Sequence, residues 1–166
     1  MQKDTHTGSI KRWIYLLWIP IALIVFADEW IKYLALERLP QEGDLLNPGL
    51  LEFAIHHNYG IAFNIPFKMP IIILFSVCIG IALLHSAWSN RNTYSEISFS
   101  ALIIVIGALG NLYDRIIYGF TVDYIILFGR SAINISDCVI ILGVLLFLLA
   151  SRKQKKKESK LTKEKN

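Results

Sequence analysis

Two aspartates, Asp123 and Asp137, are the residues of this chain best placed to do chemistry, because each lies where an apolar run begins or ends. Val122 and Ile125 flank the first, and Ile135 and Val139 flank the second. The 13 residues between them include Gly129, Arg130 and Ser131, which permit a tight reversal. That connection is predicted to bring the two carboxyl groups face to face from neighbouring helix ends. Two carboxylates in a poorly solvated site cannot both ionise easily, so one proton is held between them. The ionised member can then take a proton from water while the protonated member polarises a scissile carbonyl, the division of labour needed to hydrolyse an amide.

Other hydrolytic designs fit less well. No His-Glu-x-x-His run is present, and His56 and His57 are adjacent, so on a strand they project oppositely. No Gly-x-Ser-x-Gly elbow occurs, and a Ser-Lys dyad would have to use Lys32, which has Asp28 as a nearer partner. Gly107 and Gly110 fall inside an apolar helix, where small residues serve close packing rather than phosphate binding. Cys78 and Cys138 sit in apolar runs and read as small buried hydrophobes, not as a disulfide or metal framework. No metal and no cofactor is expected.

These residues must be positioned by elements that live in lipid. The chain is 54% hydrophobic, with a mean hydropathy of +0.48, too apolar for a soluble domain of this length. Four stretches, near residues 13–36, 70–88, 97–118 and 132–150, are each long enough to cross a bilayer. The expected fold is therefore an all-α membrane protein of four transmembrane helices, with a small strand element and loop on the outer face. Residues 1–152 form the membrane domain, and 153–166 form a basic tail expected to be disordered and to favour anionic headgroups. The basic residues collect in that tail without interleaved aromatics, which argues against nucleic acid as a partner.

Lys3, Lys11, Arg12, Arg91 and the tail lie on one side of such a bundle, which predicts cytoplasmic termini and puts both aspartates toward the outer face. Trp13, Trp18, Trp30, Trp88, Tyr94 and Tyr118 read as interfacial anchors. Between the first two stretches, 50–55 is β-compatible, opened by Asn47, Pro48 and Gly49 and closed by Asn58 and Gly60. Ile61, Ala62, Phe63, Ile65 and Phe67 then form a greasy segment that can border a lipid-facing site. Asp28 and Lys32, four residues apart, are expected to pair inside the membrane with Glu29 turned away. Asp114 and Arg115 close the third stretch, where the arginine either snorkels to headgroups or reaches a substrate carbonyl.

Five segments carry a resemblance to a known family: Asp28-Glu29-Trp30-Ile31-Lys32; His57-Asn58-Tyr59-Gly60-Ile61-Ala62-Phe63; Gly107-Ala108-Leu109-Gly110-Asn111-Leu112-Tyr113-Asp114-Arg115; Val122-Asp123-Tyr124; and Asn134-Ile135-Ser136-Asp137. In that order they resemble the lipoprotein signal peptidases, also called signal peptidase II. The resemblance implies a four-helix membrane fold with an outer strand cradle, in the bacterial cytoplasmic membrane. It also implies cleavage of signal peptides just before a diacylglyceryl-modified cysteine, without a metal, and inhibition by cyclic peptides such as globomycin. Asp123 and Asp137 match the catalytic pair; Asn58, Gly60, Asn111, Arg115 and Asn134 match substrate- or dyad-orienting positions; Asp28, Lys32 and Asp114 match supporting ones. Ser136 stands where alanine is usual and Tyr124 where phenylalanine is common, and the connection between the aspartates is shorter than is typical. Competing readings are a proton-coupled transporter using the same aspartates as a relay, and a non-catalytic membrane scaffold.

Overall fold

A computed structural model of the chain describes residues 16, 18–45, 49–60 and 67–165. Helix α1 (Trp18–Arg38) is followed by a 3-10 turn (Glu42–Asp44) and strand β1 (Leu51–Asn58). Helices α2 (Met69–Asn90) and α3 (Ser95–Ile117) come next, then strands β2 (Thr121–Leu127) and β3 (Ser131–Ile133), and helix α4 (Ile135–Lys165). The start of the first apolar stretch, including Trp13, and the greasy segment 61–66 lie outside the described residues, as do Asn47 and Pro48.

Among the described residues, three helices are long and apolar enough to cross a membrane: Met69–Asn90, Ser95–Ile117 and Ile135–Lys160. Their outward surfaces are apolar: Leu74 and Phe75 on α2 and Leu145 and Leu148 on α4 are all exposed, as lipid-facing side chains are. Cys78 and Cys138 belong to this exposed surface, correcting their expected burial. Helix α1 carries Asp28, Glu29, Lys32, Glu37 and Arg38, too many charges for composition alone to mark it as a span.

The interior buries polar side chains beside its apolar ones. Asp28, Lys32, Ser100, Asp114, Asp123, Asn134 and Ser136 are each at most 1% exposed. Polar groups find one another between helices because lipid offers them nothing. Small residues permit the close approach this requires. A Cβ on Gly107 would lie 2.9 Å from Ile140 Cγ1 and 3.0 Å from the Ser136 carbonyl, so the glycine lets α3 touch the backbone of α4.

The three strands form one antiparallel sheet in the order β1-β2-β3. His56 faces Asp123 across it, and Asn58 faces Thr121, with a register shift between Phe53 and His56. The reversal from β2 to β3 uses Phe128 (φ 53°) and Gly129 (φ 58°), two successive left-handed residues that suit the twist of a tight hairpin. Ile55, Val122 and Tyr124 pack against Ala35 of α1, with Leu36 and Leu39 beside them, so the sheet rests on the last turns of the first helix.

One expectation is corrected here. The fourth stretch does not begin as helix at 132, because Ser131–Ile133 pairs with Ile125–Leu127 of β2. Helix α4 runs on through the basic tail to Lys165. Lysine and glutamate are good helix formers, and the tail is braced by Lys153 on Glu96 (3.1 Å), Gln154 on Glu158 (2.9 Å) and Tyr94 on Glu158 (3.1 Å).

Candidate active site

Asp137 is the third residue of α4, and Asn134 is the cap before it. The Asp137 backbone N–H donates to Asn134 Oδ1 (2.9 Å) and the Asn134 N–H donates to Asp137 Oδ2 (3.3 Å). This reciprocal exchange is a capping box, which satisfies two orphan donors of the helix start and fixes both side chains at once. Asp123 sits mid-strand in β2, not at a helix end as the sequence reading expected. Its alternation along the strand sends the carboxylate inward, where it is fully buried.

The two acids are joined through one carboxamide. Asn134 Nδ2 donates to Asp123 Oδ1 (2.7 Å), while the same residue caps Asp137. Asn111 closes the arrangement from α3: its Nδ2 donates to Asp137 Oδ1 (2.7 Å), and its Oδ1 accepts from Asn134 Nδ2 (3.0 Å) and Lys32 Nζ (3.3 Å). A lysine can only donate, so Lys32 holds the Asn111 oxygen on its own side and turns the amide toward Asp137.

The second oxygen of Asp123 is covered by β1. Asn58 Nδ2 donates to Asp123 Oδ2 (3.0 Å), and Asn58 Oδ1 is occupied by the Gly60 N–H (3.0 Å), which sets the orientation of that carboxamide. Arg115 Nη2 reaches the Gly60 carbonyl at 3.4 Å, but its buried Nε has no hydrogen-bond partner among the described residues. Burial, then the neighbouring charge of Asp137, pushes the Asp123 carboxyl up to about 7, although Asn58 and Asn134 pull the other way.

Behind this layer lies a charge cluster. Lys32 Nζ lies 2.8 Å from Asp114, 2.9 Å from Glu29 and 3.5 Å from Asp28. Glu29 is thus a partner of Lys32 rather than turned away, and the nearest acid comes from α3. Asp114 Oδ2 also accepts the Val122 N–H (3.1 Å), tying α3 to β2 one residue before Asp123. Asp28 accepts from Tyr124 Oη (2.7 Å), Ser136 Oγ (2.6 Å), and the N–H groups of Ser136 (2.9 Å) and Ile135 (3.3 Å). Tyr124 and Ser136 therefore meet on one carboxylate, which anchors the start of α4 to α1.

A cleft of about 800 Å³ opens beside the pair between α2, α3 and α4. Asp137, Asn111, Arg115 and Asn58 line its polar end, and Val77, Leu84, Ala108, Leu112 and Ile140 are among its apolar walls. Glu42 and His56, which are paired with each other, sit on its rim. Among the described residues, no group of three or more histidine, cysteine or acidic side chains is arranged to hold a metal ion.

Every sequence-predicted site residue thus falls in one connected network, from Lys32 through Asn111 and Asn134 to both aspartates, with Asn58, Gly60 and Arg115 at its open edge. Sequence reasoning missed Tyr124 and Ser136 as ligands of Asp28 and Glu29 as a partner of Lys32. It also passed over the capping box, although Asn134 followed three residues later by an acid before an apolar run is its signature.

The chain matches the family described as signal peptidase (SPase) II over residues 20–153. It is 30% identical over 148 residues to a lipoprotein signal peptidase of Thermodesulfovibrio yellowstonii, covering 85% of this chain and 97% of that one. It is 33% identical over 134 residues to one from Syntrophomonas wolfei, covering 80% and 89%. A bacterial membrane enzyme solved by the in meso method at 2.3 Å superposes with a TM-score of 0.71 at 28% identity, covering 84% of this chain and 89% of the other. With the ordered segments around both aspartates inside the matched region, this chain belongs to the signal peptidase II family of bacterial membrane peptidases.

Proposed function

We propose that the protein is an intramembrane aspartyl endopeptidase that removes signal peptides from diacylglyceryl-modified prolipoproteins, cutting just before the lipidated cysteine. The observation that carries this reading is the single carboxamide of Asn134, bonded to Asp123 and capping Asp137, at the edge of an apolar cleft. Asp123, held near neutrality in its proton affinity, shares a proton with Asp137. One carboxyl polarises the scissile carbonyl and the other deprotonates the attacking water. The proton then passes to the leaving amine.

Asn58 lies over Asp123 and withdraws when substrate and water enter, and the unsatisfied Nε–H of Arg115 donates to a substrate carbonyl. The cleft takes the signal helix and acyl chains along its apolar walls. Helix α1, 21 residues and so about 30 Å long, is the fourth span, its charges absorbed by Lys32, Asp114 and Asp28. Both termini are cytoplasmic and the aspartates face outward, in the bacterial cytoplasmic membrane.

Purified protein mixed with a lipidated precursor tests this. Release of the signal peptide, blocked by globomycin, is expected; release that persists in Asp123→Asn would overturn the dyad, and ion flux in liposomes without cleavage would favour the relay reading.

A further inference from the structure

At the end of the bundle away from the aspartates, α3 and α4 border a second, open recess of about 530 Å³. Phe99, Leu146 and Leu149 form its greasy wall, and Glu96, Arg152 and Lys156 its lip. On α4 the residues 146, 149, 153 and 156 recur at helical spacing, so one face changes from apolar to basic along its length. Lys153 pairs with Glu96 at 3.1 Å, which neutralises the acid at the lip. Arg152 and Lys156 have no acidic partner among the described residues. A recess that is apolar within and cationic at its mouth, placed where a span gives way to its basic extension, is complementary to an acyl chain ending in a phosphodiester.

We infer that this cavity binds an anionic phospholipid, with one acyl chain along Phe99, Leu146 and Leu149 and its phosphate on Arg152 and Lys156. The lipid belongs to the cytoplasmic leaflet if the orientation proposed above holds; the chemistry of the cavity does not depend on it. Its occupant is a resident lipid rather than substrate, because the cleft beside Asp137 shares no lining residue with it.

The test is titration of the full chain in neutral detergent with phosphatidylglycerol or phosphatidylcholine of identical acyl chains, followed by native mass spectrometry. Phosphatidylglycerol is expected to bind about tenfold more tightly, the worth of one charge-assisted contact. Arg152→Gln with Lys156→Gln should abolish that preference, and Arg152→Lys with Lys156→Arg should keep it. Lys160→Gln with Lys163→Gln, the same charge change on exposed positions outside the cavity, should leave it intact. Equal binding of the two lipids, equal loss in both glutamine variants, or displacement by inorganic phosphate alone would overturn the site. The readout is binding, so it stands or falls separately from peptidase activity.

Discussion

At the scale of single residues, the site depends on carboxamides whose orientation is dictated by neighbours. Asn134 serves both acids and caps α4, so Asn134→Ala removes a hydrogen bond from Asp123 and a cap from Asp137 together. Thermal unfolding should show a loss of about 1–3 kcal/mol, and turnover should fall about 100-fold or more, with KM changing less. A variant that keeps turnover would deny Asn134 its orienting role. The raised Asp123 carboxyl makes a second prediction. Its folded-state pKa of about 7 exceeds the ordinary carboxylate value, so its contribution to stability is fully present below about pH 4 and is lost as pH rises through 7. Activity should decline over the same alkaline limb as the shared proton leaves. Asp123→Asn should flatten the difference in melting temperature between pH 5 and pH 8; an unchanged difference would place the titration elsewhere.

At the scale of elements, Asp28 couples α1 to the start of α4, and Tyr124 couples the same carboxylate to β2. Tyr124→Phe leaves the ring in place but removes one donor from a buried carboxylate, and should cost about 1–3 kcal/mol by thermal unfolding; Ser136→Ala should cost less, because its own N–H still serves Oδ2 at 2.9 Å, whereas the loss of Tyr124 leaves Oδ1 only the Ile135 N–H at 3.3 Å. Gly107→Ala forces its methyl group against Ile140 and the Ser136 carbonyl, and should destabilise by about 1–3 kcal/mol. The helices were legible in the sequence because an apolar run of span length has few alternatives in lipid. The reversal at Gly129 was legible too, since two left-handed residues demand a permissive position. β2 was not recognised, although Thr121, Val122, Tyr124, Ile125 and Ile126 are β-formers, because the same composition continues an apolar span equally well. Glu29 was misplaced because i,i+4 spacing selects Asp28 as the partner of Lys32, whereas the i,i+3 contact and the cross-helix Asp114 depend on packing that spacing cannot supply.

At the scale of the whole molecule, the polar interior and apolar exterior act together. The network from Lys32 to Asp123 ties together one end of a bundle whose outer surfaces are apolar, and the sheet brings Asn58 over Asp123. The proposed orientation predicts that protease added outside intact cells leaves the α4 extension uncut, whereas inverted vesicles expose it. The account turns most directly on the two acids. Cleavage of a purified lipidated prolipoprotein should be measured for wild type, Asp123→Asn and Asp137→Asn, each checked for an unfolding temperature close to wild type. Turnover is predicted to fall about 1,000-fold or more in both variants, since each acid performs a proton transfer the other cannot perform alone. Wild-type cleavage in either folded variant would contradict the shared-proton mechanism.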